Sequence, residues 1–98
     1  MADKKSIEFI EKLISFDTTS RDSNLELINF VQKYLEGLGV DSQLVHNKEG
    51  TKANLYATVG DTGTSGVMLS EHTDVVPIDG QEWDTNPFNM TRKGSRLY

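Results

Sequence analysis

His72 and Asp74 are the two side chains whose types and spacing best suit chemistry. They follow an apolar run at 67–69, and residues two apart in an extended backbone share one face. A neutral imidazole is a good zinc ligand, and a ligating histidine usually donates its other ring N–H to a carboxylate. The pattern therefore suits His72 as a metal ligand that Asp74 orients. Such triplets also occur by chance, so from spacing and position alone a solvated loop pair is at least as well supported.

Composition restricts the metal chemistry and the partners. The sequence has no cysteine, so any metal must be held by His, Asp or Glu, and the chain suits a reducing cytoplasm. Its 15 acidic and 10 basic side chains give a net charge of -5 without a basic stripe, so nucleic acid is not an expected partner. No apolar run approaches the roughly 20 residues that span a bilayer, and the N-terminus is not signal-like. We expect a cytoplasmic protein without a membrane partner.

Two helices are predicted in the first part of the chain. Apolar residues at three- and four-residue spacing predict a helix that is capped by Asp3. Ser23 and Glu26 have capping-box spacing and predict a second, better buried helix that ends near positions 37–39, after a connecting loop at 16–22. The expected buried stripes are Ile7, Ile10, Leu13 and Ile14 in the first helix, and Leu25, Ile28, Val31, Leu35 and Leu38 in the second.

Strands are predicted after position 39, where the apolar pattern changes to a period of two. Alternation over 40–45 and 53–59 predicts two half-buried strands. The continuous apolar run at 67–69 predicts a third strand, central and covered on both faces. A hairpin is predicted over 88–98, with its turn around Lys93 and Gly94. The fold class is therefore α/β, with two helices followed by a mixed sheet.

Several stretches of the sequence resemble a known enzyme family. They are FDTTSR at 16–21, SEHTDVVPIDGQ at 70–81, the residues Trp83, Asp84, Pro87 and Phe88, and GSRLY at 94–98. Together they closely resemble the co-catalytic zinc aminoacylase and deacetylase family of metallopeptidases. The likeness runs from about Leu13 to Tyr98, and the part from 72 to 88 is the most specific.

The resemblance implies a fold, a metal and two site residues. Residues 1–98 would be the N-terminal portion of a three-layer zinc-hydrolase catalytic domain, whose remainder and dimerisation domain are absent, and the parent protein would be a homodimer. The site would hold two zinc ions, with cobalt possible, His72 would ligate one ion and Asp74 would serve catalysis by orienting that histidine. The family's general-base glutamate and other ligands would lie beyond Tyr98, so we expect the 98-residue chain to be inactive and to bind zinc weakly.

The resemblance also implies a reaction on a small N-acyl amino acid. A metal-bound water would attack an amide carbonyl and remove the acetyl group from N-acetyl-L-ornithine, a step of arginine biosynthesis. Succinyl-diaminopimelate or another N-acyl amino acid is the alternative substrate. A different class of function stays open: a non-catalytic module that binds a partner through an unpaired sheet edge.

One position departs from the family, and a few others have structural interpretations. Glu71 stands where the family mostly has glycine, and we expect it to be paired with a basic group or partly exposed, because an unpaired buried carboxylate is costly. His46 is expected in a solvated turn, and Lys48 and Lys52 in a solvated loop. The aromatic and proline residues that are expected to pack the loop after Asp74 are Trp83, Pro87 and Phe88.

Overall fold

A computed structural model describes residues 3–98 of the chain. It divides into two compact units, one formed by the residues up to Asp17 together with Val76–Tyr98, and the other by Thr18–Val75. The elements in chain order are α1 (Lys4–Ile14), α2 (Leu25–Gly37), β1 (Ser42–His46), β2 (Ala53–Ala57), β3 (Arg92–Lys93) and β4 (Arg96–Leu97). The predicted α/β mixture of helices and strands is therefore found.

Helix α1 begins where the sequence predicts it. The Asp3 carboxylate accepts a hydrogen bond from the Ser6 backbone N–H at 2.7 Å, as an N-cap does, and this bonding holds the pKa of Asp3 below its usual value. The predicted apolar stripe is only partly covered, since no α1 residue is fully buried and Ile10 is 41% exposed. Helix α1 is thus stabilised more by its N-cap and local sequence than by burial in a core.

Helix α2 packs against the β1–β2 hairpin and forms the core of the Thr18–Val75 unit. Its Leu27 and Ile28 are buried, and so is Ala53 of β2, which confirms that α2 is the better buried helix. The two strands are antiparallel with Leu44 opposite Leu55. Alternate residues of each strand are exposed, as the period of two predicts.

The predicted capping box at the start of α2 is wrong. The N-cap is Asn24, and its side chain makes no cap hydrogen bond, because its amide is used elsewhere. The Asn24 Nδ2 donates to the Ala53 carbonyl at 3.0 Å, and the Ala53 N–H donates to Asn24 Oδ1 at 3.0 Å. The amide therefore pairs with β2 as a neighbouring strand would, and it joins the beginning of α2 to the hairpin.

The predicted third strand at 67–69 is also wrong. No strand is assigned there, and Val67, Met68 and Leu69 are 88%, 72% and 90% exposed. Within residues 3–98, β1 pairs only with β2 and β3 only with β4, so two small antiparallel sheets replace the predicted mixed sheet. A strand that is covered on both faces needs neighbours at its edges and layers above and below, and the described part of the chain supplies none for 67–69.

The C-terminal hairpin is confirmed. Strands β3 and β4 are antiparallel, with Lys93 opposite Arg96, and the turn between them uses Gly94 with a positive φ of 62°. Thr91 and Tyr98 exchange two backbone hydrogen bonds of 2.8 Å next to this pair. Among the described residues, no helix is long and apolar enough to cross a membrane.

Replacing Asn24 by alanine should destabilise the unit formed by Thr18–Val75. The substitution leaves the N–H and C=O groups of the buried Ala53 without their side-chain partner, which should lower the free energy of unfolding by about 1–3 kcal/mol. Urea denaturation followed by circular dichroism measures this change. The matched control is Asn54→Ala, the same substitution at an exposed position of β2, with an expected change below about 0.5 kcal/mol. Equal effects of the two substitutions would contradict the role given to Asn24.

Candidate metal-ligand site

The segment that carries His72 and Asp74 is irregular, and it is held by hydrogen bonds to a distant loop. Residues 18–20, which we term the brace, form a parallel bridge with this segment through Thr19 and Val75. The Ser20 N–H donates to the Val75 carbonyl at 2.9 Å, and the Val75 N–H donates to the Thr18 carbonyl at 3.1 Å. The brace therefore substitutes for the predicted strand in positioning the segment.

Side chains strengthen the brace on both of its sides. The Thr18 hydroxyl donates to the Thr73 carbonyl at 2.6 Å, and Thr18 and Thr19 are only 5% and 2% exposed. The Lys52 ammonium donates to the Ser20 carbonyl, so the expectation that Lys52 is merely solvated is wrong. The sequence identified 16–22 as a loop but did not predict its contacts. The one available signal was the pair of adjacent threonines, whose hydroxyl groups can bond to backbone carbonyls.

The imidazole of His72 faces the carboxylate and the backbone carbonyl of Asp74. Its Nδ1 lies 3.0 Å from the Asp74 carboxylate Oδ1 and 3.2 Å from the Asp74 backbone oxygen. A backbone carbonyl and an ionised carboxylate have no proton to donate and act only as acceptors. This geometry therefore assigns the proton to Nδ1. Nε2 of the neutral ring then has its lone pair available for a ligand, and the His72 side chain is 82% exposed.

This arrangement suits an imidazole that ligates a metal through Nε2. The Asp74 side chain is 61% exposed, and an exposed contact of this kind adds little stability, so its effect on the ring is mainly one of orientation. A catalytic zinc usually has three protein ligands and a water. No group of three or more His, Asp or Glu side chains that could hold a metal occurs among residues 3–98. These residues therefore fit one ligand of a zinc ion and not a complete catalytic site.

The other residues that the sequence singled out lie on the surface or are partly covered. Glu71 is exposed, as one of its two expected arrangements requires, and His46 is exposed at the end of β1, next to the Asn47 turn. Trp83 is 52% exposed, so the expectation that it packs the loop is wrong, whereas Pro87 and Phe88 are half-buried. None of these residues joins His72 in a group of three or more possible ligands within the described part of the chain.

Comparison with known proteins finds relatives among the acetylornithine deacetylases. The chain is 43% identical over 84 residues to the acetylornithine deacetylase of Proteus mirabilis, which covers 84% of this chain and 21% of that protein. It is 37% identical over 86 residues to that of Pasteurella multocida (86% of this chain, 22% of the relative) and 34% identical over 99 residues to that of Photorhabdus laumondii (94% and 26%). The chain thus spans between a fifth and about a quarter of the length of these relatives. No family model matches the chain, and no solved structure matches it.

The orientation of His72 can be tested directly through its tautomer. Because Asp74 presents two acceptors to Nδ1, the neutral ring should be mainly in the Nδ1–H form, and Asp74→Ala should return it toward the Nε2–H form. Two-bond ¹H–¹⁵N correlation spectra distinguish the two forms. His46, exposed on β1, is the internal reference and should not change. A predominantly Nε2–H ring at His72 in the unsubstituted protein would contradict the geometry.

Proposed function

We propose that this chain is the N-terminal portion of the catalytic domain of a zinc-dependent deacetylase that acts on N-acetyl-L-ornithine. The observation that carries the proposal is the similarity to acetylornithine deacetylases over at least 84% of the chain, in stretches that include His72 and Asp74. The orientation of the His72 ring by Asp74 supports it independently, because a zinc-ligating histidine commonly has such a carboxylate partner. The parent would be a cytoplasmic homodimer of arginine biosynthesis.

In this proposal the described residues contribute one part of the catalytic machinery. His72 would bind a metal ion through Nε2, and Asp74 would keep the proton on Nδ1 and hold the ring in place. Zinc, when bound, would polarise the amide carbonyl and activate a water molecule. The remaining ligands and the general base would come from a part of the protein outside residues 1–98. Cobalt would be an acceptable substitute for zinc at such a site.

The preferred substrate follows from the relatives, whose names specify acetylornithine. Succinyl-diaminopimelate or another N-acyl amino acid remains the alternative within the same chemistry. All of these substrates present an amide bond next to an amino-acid carboxylate. The groups that distinguish them would be contacted by parts of the protein outside this chain. Substrate choice is therefore a property to be measured on the complete gene product.

A non-catalytic, partner-binding module is the second candidate. The exposed apolar run at 67–69 favours it, because three neighbouring apolar side chains that are 72% exposed or more would gain from being covered. The reading frame distinguishes the two candidates. Coding sequence that continues past Tyr98 with further His, Asp and Glu ligands favours the deacetylase, and a stop codon directly after Tyr98 favours the module.

The deacetylase proposal predicts distinct effects for three substitutions in the complete gene product. His72→Ala should remove a ligand and abolish zinc-dependent hydrolysis of N-acetyl-L-ornithine. Asp74→Asn keeps the size of the side chain but weakens the orientation of the ring, and should reduce zinc affinity by about 10- to 100-fold. His46→Ala removes another exposed histidine and should leave both the hydrolysis rate and the zinc affinity unchanged. Acetate release and zinc titration measure these effects.

Three outcomes would contradict parts of the proposal. Full activity of the His72→Ala protein would exclude the metal-ligand role, and a higher kcat/KM for N-succinyl-diaminopimelate than for N-acetyl-L-ornithine would select the alternative substrate. The 98-residue chain by itself should hydrolyse neither compound, since three protein ligands for a zinc are not grouped within its described part. Hydrolysis by that chain alone would mean that the catalytic set has been wrongly located.

A further inference from the structure

Thr18 contacts both of the peptide groups that flank the Cα atom of Asp74. Its hydroxyl donates at 2.6 Å to the Thr73 carbonyl, which belongs to the peptide before Asp74. Its own carbonyl accepts at 3.1 Å from the Val75 N–H, which belongs to the peptide after Asp74. Because peptide groups are planar, restraining both of them restrains the two soft backbone dihedral angles of Asp74.

The same two peptide groups influence which acceptors lie next to Nδ1 of the His72 ring. One acceptor for Nδ1, the Asp74 backbone oxygen at 3.2 Å, belongs to the peptide whose N–H bonds to Thr18. The other acceptor, the Asp74 carboxylate at 3.0 Å, extends from the Cα atom that lies between the two held peptides. A change in the backbone conformation of Asp74 would therefore alter the positions of these oxygens relative to the ring.

Burial differs sharply between Thr18 and the pair that it holds. Thr18 is 5% exposed, whereas the side chains of His72 and Asp74 are 82% and 61% exposed. Two exposed side chains have little in their own contact to fix their geometry, because water competes for the same groups. A hydrogen bond from a buried hydroxyl meets much less of that competition. The backbone held by Thr18 is therefore the more rigid part of the arrangement.

We propose that Thr18 is the positioning residue of the His72–Asp74 pair, and that its hydroxyl keeps the Nε2 lone pair of His72 presented for a metal ion. The part that concerns the metal rests on the proposed function. The part that concerns the ring geometry does not, and it is measurable without metal. Thr18 acts through the backbone of residues 73–75, because its hydrogen bonds run to the Thr73 carbonyl and the Val75 N–H.

The experiment compares variants of the complete gene product. Thr18→Val preserves the size and branching of the side chain but removes the hydroxyl, and Thr18→Ser preserves the hydroxyl. We expect Thr18→Val to shift the His72 tautomer toward Nε2–H and to weaken zinc binding roughly tenfold, the lower end of the range for residues that support a metal ligand. Thr18→Ser should stay within about twofold of the unsubstituted protein in zinc affinity.

Two controls separate positioning from stability. Asn24→Ala should destabilise the same unit without touching the brace, and it should leave the His72 tautomer of the folded protein unchanged. Thr58→Val removes the hydroxyl of an exposed threonine and should change neither readout. If Thr18→Val does not fold, amide hydrogen exchange of the unsubstituted protein provides the test. The Val75 and Ser20 amides should then be protected relative to those at 67–69.

The outcomes distinguish the positioning role from the deacetylase function. An unchanged tautomer and zinc affinity in Thr18→Val would overturn the positioning role, and so would exchange at Val75 as fast as at 67–69. A shifted tautomer together with no zinc binding by the unsubstituted protein would support positioning and refute the metal function. An equal tautomer shift in Asn24→Ala would mean that loss of stability, and not loss of the Thr18 hydroxyl, changes the ring. That result would also overturn the proposal.

Discussion

Three hydrogen bonds between the brace and residues 73–75 determine where His72 and Asp74 lie. They join two irregular segments, and the side-chain bond from Thr18 to Thr73 spans 55 positions of the chain. Three hydrogen bonds contribute roughly 1 kcal/mol each, and they meet little competition from water because Thr18 and Thr19 are buried. Exposing these threonines should therefore loosen the segment that carries His72 and Asp74.

Rigid and accessible groups are separated in this arrangement. The proposed metal ligand is accessible, because the His72 side chain is 82% exposed. Asp74 orients the ring, but an exposed pair adds little stability of its own, so the fixed points are the backbone groups of residues 73–75 and the buried threonines. Lys52 extends the same network by donating to the Ser20 carbonyl from the loop before β2. The brace is thereby connected to the hairpin against which α2 packs.

Local features of the fold were predictable from sequence, whereas features that depend on distant partners were not. The Asp3 cap, both helices, the two paired strands and the hairpin with Gly94 follow from spacing and turn chemistry within a few residues. The capping box at Ser23 failed because the next residue, Asn24, uses its amide to bond a backbone 29 positions away. The strand at 67–69 failed because apolar composition alone does not provide neighbouring strands.

The candidate site was predictable only in its local part. Residues two apart stay within reach of each other in many backbone conformations, so the contact between His72 and Asp74 could be expected from spacing and chemistry. The extended strand that was expected to carry them does not form, and their geometry comes from the brace instead. The contribution of Thr18 is a contact across 55 positions, and the adjacent threonines indicate that a hydroxyl can bond to a backbone carbonyl but not which carbonyl it bonds to.

The most direct measurement is a crystal structure of the zinc-loaded complete gene product, with anomalous scattering recorded at the zinc edge. The account predicts a zinc ion about 2.0–2.1 Å from Nε2 of His72, with Nδ1 still bonded to Asp74 and the brace intact. A zinc ion bound elsewhere, or bound to His72 through Nδ1 with Asp74 displaced, would contradict it.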